Sequence, residues 1–305
     1  MRYYRSAWGA SGPQLLAVDG DTAYDLTAAK PSLDGFTDLA RASDLTGTPV
    51  DDIARRLRDE APIVDRELID DGAPAAEPTE AAAADGNALV PVEAAEVWAA
   101  GVTYAISEQA REEESDMPQL YLDVYDAERP ELFFKSTARR TVGPGEPIGI
   151  RGDSDWNVPE PELAVVLHRG EIVGYTIGND VSSRDIEGEN PLYLPQAKVY
   201  DRSCAIGPCV ASTERIEDPH DLDLSMTIRR GGETVYDEST STSELVRTCE
   251  ELVSHLQTHN TLPETTVLLT GTSLVPDDEF TLQEGDVVSI SIEGIGTLEN
   301  PVCTV

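Results

Sequence analysis

The chain has 305 residues, enough for one large core or two smaller ones. With 58 acidic residues against 22 basic ones, its formal net charge is −36, which repels nucleic-acid phosphates and anionic membranes and excludes both as partners. Apolar residues make up 40% of the chain, sufficient for a packed core, and no run nears the roughly 18 apolar residues of a membrane span.

In chain order, Met1 to Ser6 has no apolar stretch behind it, so no secretory signal is expected and a cytoplasmic location follows. Residues 1–70 read as a small N-terminal α+β domain, with strands at 14–18 and 22–26, a helix at 50–58 and a strand at 62–64. Residues 71–88 turn to Ala, Pro, Glu and Asp and read as an acidic linker. Residues 89–305 form a third, catalytic unit rich in strands. A helix is expected over 107–114, ended by Pro118. Two hairpins follow, 163–167 with 172–177 and 224–228 with 233–236. The apolar spacing over 243–259 predicts an amphipathic helix, and 267–270 and 287–292 predict further strands. The fold class is α+β, mostly β.

Only three lysines are present, Lys30, Lys135 and Lys198. An acidic, lysine-poor composition is that of a halophilic protein held in solution at very high salt, where charge repulsion is screened. The cysteines Cys204, Cys209, Cys249 and Cys303 have no zinc spacing and read as reduced core residues.

Glu160 and Glu162 flank Pro161 at the head of an apolar strand. Positions i and i+2 of a strand share a face, about 7 Å apart along the backbone, so the two carboxylates project together. They either hold a hard divalent cation such as Mg²⁺ or are ordinary solvated acids. The hairpin turn at Arg169-Gly170 brings Asp180 to the same end of the sheet, yet strict alternation would aim Asn179 at the glutamates' face. A bulge after Gly178 would correct this. Lys135 and Lys198 both lie in apolar contexts. Lys198 either neutralises the carboxylates and serves as a base or snorkels on an apolar rim.

Together these segments resemble the fumarylacetoacetate hydrolase family over about residues 97–302. The resemblance is carried by Gly101-Val102-Thr103-Tyr104, Leu132-Phe133-Phe134-Lys135, Val142-Gly143-Pro144, Glu160-Pro161-Glu162-Leu163-Ala164 and Ile177-Gly178-Asn179-Asp180. Ser183-Arg184-Asp185, Thr270-Gly271-Thr272 and Gly285-Asp286-Val287-Val288 extend it. It implies a mixed β-sandwich or roll, a homodimer or homotetramer, and Mg²⁺ (Mn²⁺ as the substitute) held by Glu160, Glu162 and Asp180, with Lys198 as the active-site lysine. The family's hydrolases carry a histidine shortly after the tyrosine matching Tyr104. Here Ala105 to Gln109 contains none. The string from Ser183 through Glu187-Gly188-Glu189-Asn190 to Lys198 is similar instead to the branch that dehydrates 2-keto-3-deoxy-D-pentonate to 2,5-dioxopentanoate. That resemblance implies a lyase acting on a small 2-oxo acid. Lys198 is the first choice for the base that takes the C3 proton, and the acidic run 112–114, ending in Glu114, is the second. Ser107, Arg111 and Thr272 are the candidates for contacts to substrate oxygens. Arg184 and Asp185 read equally as ion-pair partners or site residues. An acylpyruvate hydrolase or oxaloacetate decarboxylase is the rival within the family, and a metal-stabilised binding protein is the rival outside enzymes.

Overall fold

The apolar runs pair into sheets. The computed structural model describes residues 1–7, 12–65, 69, 88–104, 124 and 127–305. The expected helix at 107–114, the acidic run 112–114 and linker residues 71–87 lie outside them. Early strands are β1 (Arg2–Ala7), β2 (Pro13–Asp19), β3 (Thr22–Asp25), β4 (Ile63–Val64), β5 (Glu96–Gly101) and β6 (Glu131–Thr137). Next come β7 (Thr141–Val142), β8 (Ile148–Ile150), β9 (Asn157–Val158), β10 (Pro161–His168), β11 (Glu171–Asp180) and β12 (Ser182–Ser183). The last are β13 (Cys204–Ser212), β14 (Asp223–Arg230), β15 (Glu233–Ser241), β16 (Thr265–Leu269), β17 (Val287–Ile292) and β18 (Gly296–Thr304). Helices are α1 (Leu26–Ala29), α2 (Phe36–Thr46), α3 (Val50–Arg58), α4 (Arg184–Glu189), α5 (Leu194–Lys198) and α6 (Cys249–Gln257).

The larger sheet runs β4-β3-β2-β1-β13-β11-β10-β16-β5-β6, with β7 added on β13. The smaller runs β15-β14-β17-β18-β8. The class is α+β with mixed sheets, as the sequence predicts. The first strands extend the large sheet: β1 pairs with β13, Tyr3 opposite Val210. The buried Asp51 of α3 accepts hydrogen bonds from the Tyr3 hydroxyl at 2.7 Å and the Ser212 hydroxyl at 2.8 Å, fastening that helix to the sheet.

Every residue of β10 is buried, because both faces of the sheet are covered. Leu163, Val165 and Leu167 pack toward Leu224, Met226 and Ile290 of the smaller sheet and Leu252 of α6. Ala164 and Val166 pack toward Phe36, Leu39 and Ala54 of α2 and α3. Each large side chain so buried contributes about 2 kcal/mol. The helix expected over 243–259 is shorter. A 3₁₀ turn occupies Thr242–Glu244, and α6 begins after Thr248, whose hydroxyl caps it by accepting from the Glu251 N–H at 3.1 Å. Among the described residues, no helix is long and apolar enough to cross a membrane.

Candidate metal and substrate site

The β10–β11 hairpin turns at Arg169-Gly170, where both residues have positive φ. It starts in simple register, His168 opposite Glu171 and Leu167 opposite Ile172. That register would set Glu160 across from Asn179. It does not persist. Val166 faces Gly174, so Val173 is an extra residue in β11. Beyond it Glu162 faces Gly178 and Pro161 faces Asn179, and the Asp180 N–H donates to the Glu160 carbonyl at 2.9 Å. Directly opposed residues share a face, so the shift carries Asp180 to the side of Glu160 and Glu162. The correcting bulge lies at Val173, near the turn, and not after Gly178. Extra residues are tolerated most easily near strand ends, where fewer ladder bonds depend on them.

One oxygen from each of Glu160, Glu162 and Asp180 lies within 4.8 Å of the other two. All three side chains are buried. Lys198, the last residue of α5, donates to Oε2 of Glu160 at 2.8 Å and to the Ser182 hydroxyl at 2.6 Å, and its Nζ lies 3.7 Å from Oδ2 of Asp180. Arg184, opening α4, reaches Oε1 of Glu160 at 3.0 Å. Glu187, one helical turn on, places Oε2 3.9 Å from both Lys198 Nζ and Arg184 Nε. Lys135 of β6 pairs with Oδ1 of Asp180. Among the described residues, no cation pairs with Glu162. Its Oε2 accepts the Gly271 N–H at 2.5 Å.

Burial, then Asp180 and Glu160, pushes the Glu162 carboxyl well above its ordinary range. Burial also raises Asp180, against the pull of Lys135 and Lys198. For Lys198, burial favours the neutral amine, but Asp180, Glu160 and Glu187 together outweigh it and the net direction is up. Three buried carboxylates so close repel strongly unless a cation lies among them. An oxygen-only donor set with a carboxylate lacking a cationic partner fits a hard divalent ion such as Mg²⁺.

Gly271 makes the wall beside Glu162. Its φ is 93°, and a Cβ there would lie 1.9 Å from the Thr103 hydroxyl oxygen, so only glycine presents its N–H at this spot. Thr103 donates to the Thr270 carbonyl at 2.6 Å. The Tyr104 hydroxyl is buried with no hydrogen-bond partner among the described residues, and burial, then Glu162, raises its pKa. The Asn179 side chain accepts the Glu160 N–H at 3.2 Å, holding the glutamate backbone.

Four predicted site residues therefore meet: Glu160, Glu162, Asp180 and Lys198. Thr272 follows Gly271, and its half-buried hydroxyl exchanges hydrogen bonds with the Leu274 backbone. Ser107, Arg111 and Glu114 lie outside the described residues. Of the two residues left open, Arg184 faces Glu160. Asp185 instead accepts from the hydroxyls of Ser154 and Ser183 and from the Asp155 and Ile186 N–H groups, bracing a loop. Ser182, Glu187 and the Gly271 N–H were not anticipated. A signal existed for Glu187, three residues from Arg184 and so on one helix face.

The family model described as fumarylacetoacetate (FAA) hydrolase C-terminal matches residues 96–303. The chain is 60% identical, over 100% of both sequences, to a probable 2-keto-3-deoxyxylonate dehydratase of Haloferax volcanii. It is 46% identical over 217 residues to the 2-dehydro-3-deoxy-D-arabinonate dehydratase of Saccharolobus solfataricus, covering 70% of this chain and 73% of that one. In structure it is similar to 2-keto-3-deoxy-D-arabinonate dehydratase complexed with magnesium and 2,5-dioxopentanoate, with a TM-score of 0.78, 34% identity and coverage of 100% and 99%. With its motifs, its sheets and its carboxylate cluster in agreement, the chain belongs to the fumarylacetoacetate hydrolase family.

Proposed function

We propose that this chain is a divalent-metal-dependent hydro-lyase that dehydrates 2-keto-3-deoxy-D-pentonate to 2,5-dioxopentanoate. The observation that carries the reading is the buried cluster of Glu160, Glu162 and Asp180 beside Lys198, in a chain similar along its whole length to such dehydratases. The xylonate and arabinonate in the relatives' names are one substrate chemically. Removing the C2 and C3 stereocentres makes the two 2-keto-3-deoxy acids identical.

Glu160, Glu162 and Asp180 are the ligands for Mg²⁺, with Mn²⁺ as the substitute. When bound, the ion supplies Lewis-acid polarisation of the 2-oxo acid. The side chains of Arg184 and Lys198 hold Glu160 from two sides and so orient it. Lys198 takes the C3 proton as the neutral amine, the form that a divalent ion among the carboxylates would favour by offsetting their charge, with Glu114 the alternative base. The C4 hydroxyl departs with a proton as water and leaves a C3=C4 double bond conjugated to the C2 ketone; loss of a C5 proton and return of a proton to C3 shift it to C4=C5, and that enol becomes the C5 aldehyde. Ser107, Arg111 and Thr272 bind substrate oxygens. Burial of the whole cluster keeps bulk water from the reacting carbons. A cytoplasmic location agrees with the free cysteines, three of them buried. A homodimer or homotetramer belongs to the same reading and is supported by the family resemblance.

The test is to incubate the protein with 2-keto-3-deoxy-D-pentonate and follow aldehyde formation. Chelation should abolish turnover, and Mg²⁺ or Mn²⁺ should restore it. Full activity in metal-free protein, or pyruvate in place of the dialdehyde product, would overturn the assignment.

A further inference from the structure

Lys135 is fully buried in a chain with only three lysines, and the chemistry above gives it no task. Its ammonium has three N–H bonds and meets three acceptors: the Val181 carbonyl at 2.9 Å, the Lys198 carbonyl at 2.6 Å and Oδ1 of Asp180. These acceptors belong to two separate pieces of chain. Asp180 ends β11 and Lys198 ends α5. One ammonium, carried by β6, therefore spans the junction between a carboxylate of the cluster and the backbone of the active-site lysine. The Ser203 hydroxyl gives the Lys198 carbonyl a second donor at 2.9 Å. The Lys198 side chain leaves from the residue so anchored and reaches Glu160 and Ser182.

We propose that Lys135 is a positioning residue: it fixes the Lys198 main chain relative to the Asp180 carboxylate, and turnover depends on that fixed relation while cation binding does not. A buried cation with a purely structural role could be exchanged for an apolar side chain of similar volume with an effect on stability alone. A positioning role is different. Small displacements of a catalytic group slow the chemical step far more than they weaken binding. Removing a positive charge beside the carboxylates also favours, by Coulomb attraction, the entry of a divalent ion. The two properties should therefore separate.

The proposal rests on the dehydratase reading, so parent and variant are compared side by side. Lys135→Met is checked for folding by thermal melting. Its Mn²⁺ affinity is measured by electron paramagnetic resonance without substrate, and its kcat and KM with saturating Mg²⁺. Expected are a Mn²⁺ Kd equal to or below the parent's, a KM within about threefold, and a kcat lower by about tenfold or more. A folded variant with the parent's kcat overturns the proposal, as does one that loses Mn²⁺ binding along with turnover. If Lys135→Met does not fold, Ser203→Ala removes the other donor to the same carbonyl and leaves Lys135 in place. Its kcat should fall about threefold at unchanged Mn²⁺ Kd and KM, and a parental kcat there is the overturning result. A parent that turns over no substrate would instead refute the dehydratase reading, and this proposal with it.

Discussion

Lys198 stands among Glu160, Asp180 and Glu187, and it is the side chain whose chemistry a substitution isolates best. Lys198→Ala leaves the three carboxylates in place, so Mn²⁺ binding should persist while kcat falls by about 10²-fold or more. Lys198→Arg should not rescue it, because guanidinium does not give up a proton. Exchange of the C3 proton in D₂O, followed by NMR, isolates the first step. Native exchange in Lys198→Ala would move the base to Glu114. Glu162 supplies a separate test through pH. Its folded pKa is raised by burial and by two neighbouring carboxylates. In metal-free protein, that shift contributes stability below the unfolded value, and the contribution is lost as pH rises through the folded pKa. A divalent ion must displace the extra proton, so metal affinity should fall as the solution is acidified from neutrality. Calorimetry in buffers of different ionisation enthalpy would detect the released proton. A Kd independent of pH, with no proton released, would contradict this.

At the scale of elements, the site depends on the register of one hairpin and on one glycine. Inserting one glycine between Ile177 and Gly178 would move the end of β11 along by one position and turn Asn179 toward Glu160 in place of Asp180. Mn²⁺ affinity should then drop by about 100-fold, roughly 2.7 kcal/mol, with strand content by circular dichroism little changed. Gly271→Ala forces a Cβ onto the Thr103 hydroxyl at a φ of 93°. It should cost about 2–3 kcal/mol of stability, read by denaturant melting. The β10–β11 and β14–β15 hairpins were legible because short turns containing glycine separate strand-forming, β-branched runs. The carboxylate pair was legible because i and i+2 share a strand face. The position of the bulge was not, since nothing in Ile172-Val173-Gly174 distinguishes an inserted residue from a paired one. The start of α6 was misplaced because the apolar spacing runs on upstream through Leu245, while the cap at Thr248 determines where the helix begins. Glu187 was hidden by abundance: among 58 acidic residues, a helical spacing from one arginine is too common a mark to single it out.

For the molecule as a whole, a net charge of −36 makes ionic strength a structural variable. The Debye length shortens from about 10 Å at 0.1 M salt to about 3 Å at 1 M. Folding concentrates the acidic groups, so dilution should lower the melting temperature, by several degrees between molar and millimolar KCl. A melting temperature indifferent to salt would show that the acidic surface is no adaptation to it. The ion pairs of the site should respond least, because they are shielded from solvent.

The scarcity of lysine has a practical side. Lys135 and Lys198 are sealed in the interior, and Lys30 is exposed. The folded protein therefore offers acylating reagents a single accessible ε-amine. An N-hydroxysuccinimide ester of a dye or of biotin should attach to one lysine per chain, at Lys30, and spare the two that the site requires. Peptide mapping of the labelled native protein would show it, and the same reagent after denaturation should reach all three. Attachment chemistry that scrambles most enzymes would here act at a defined address, with turnover intact.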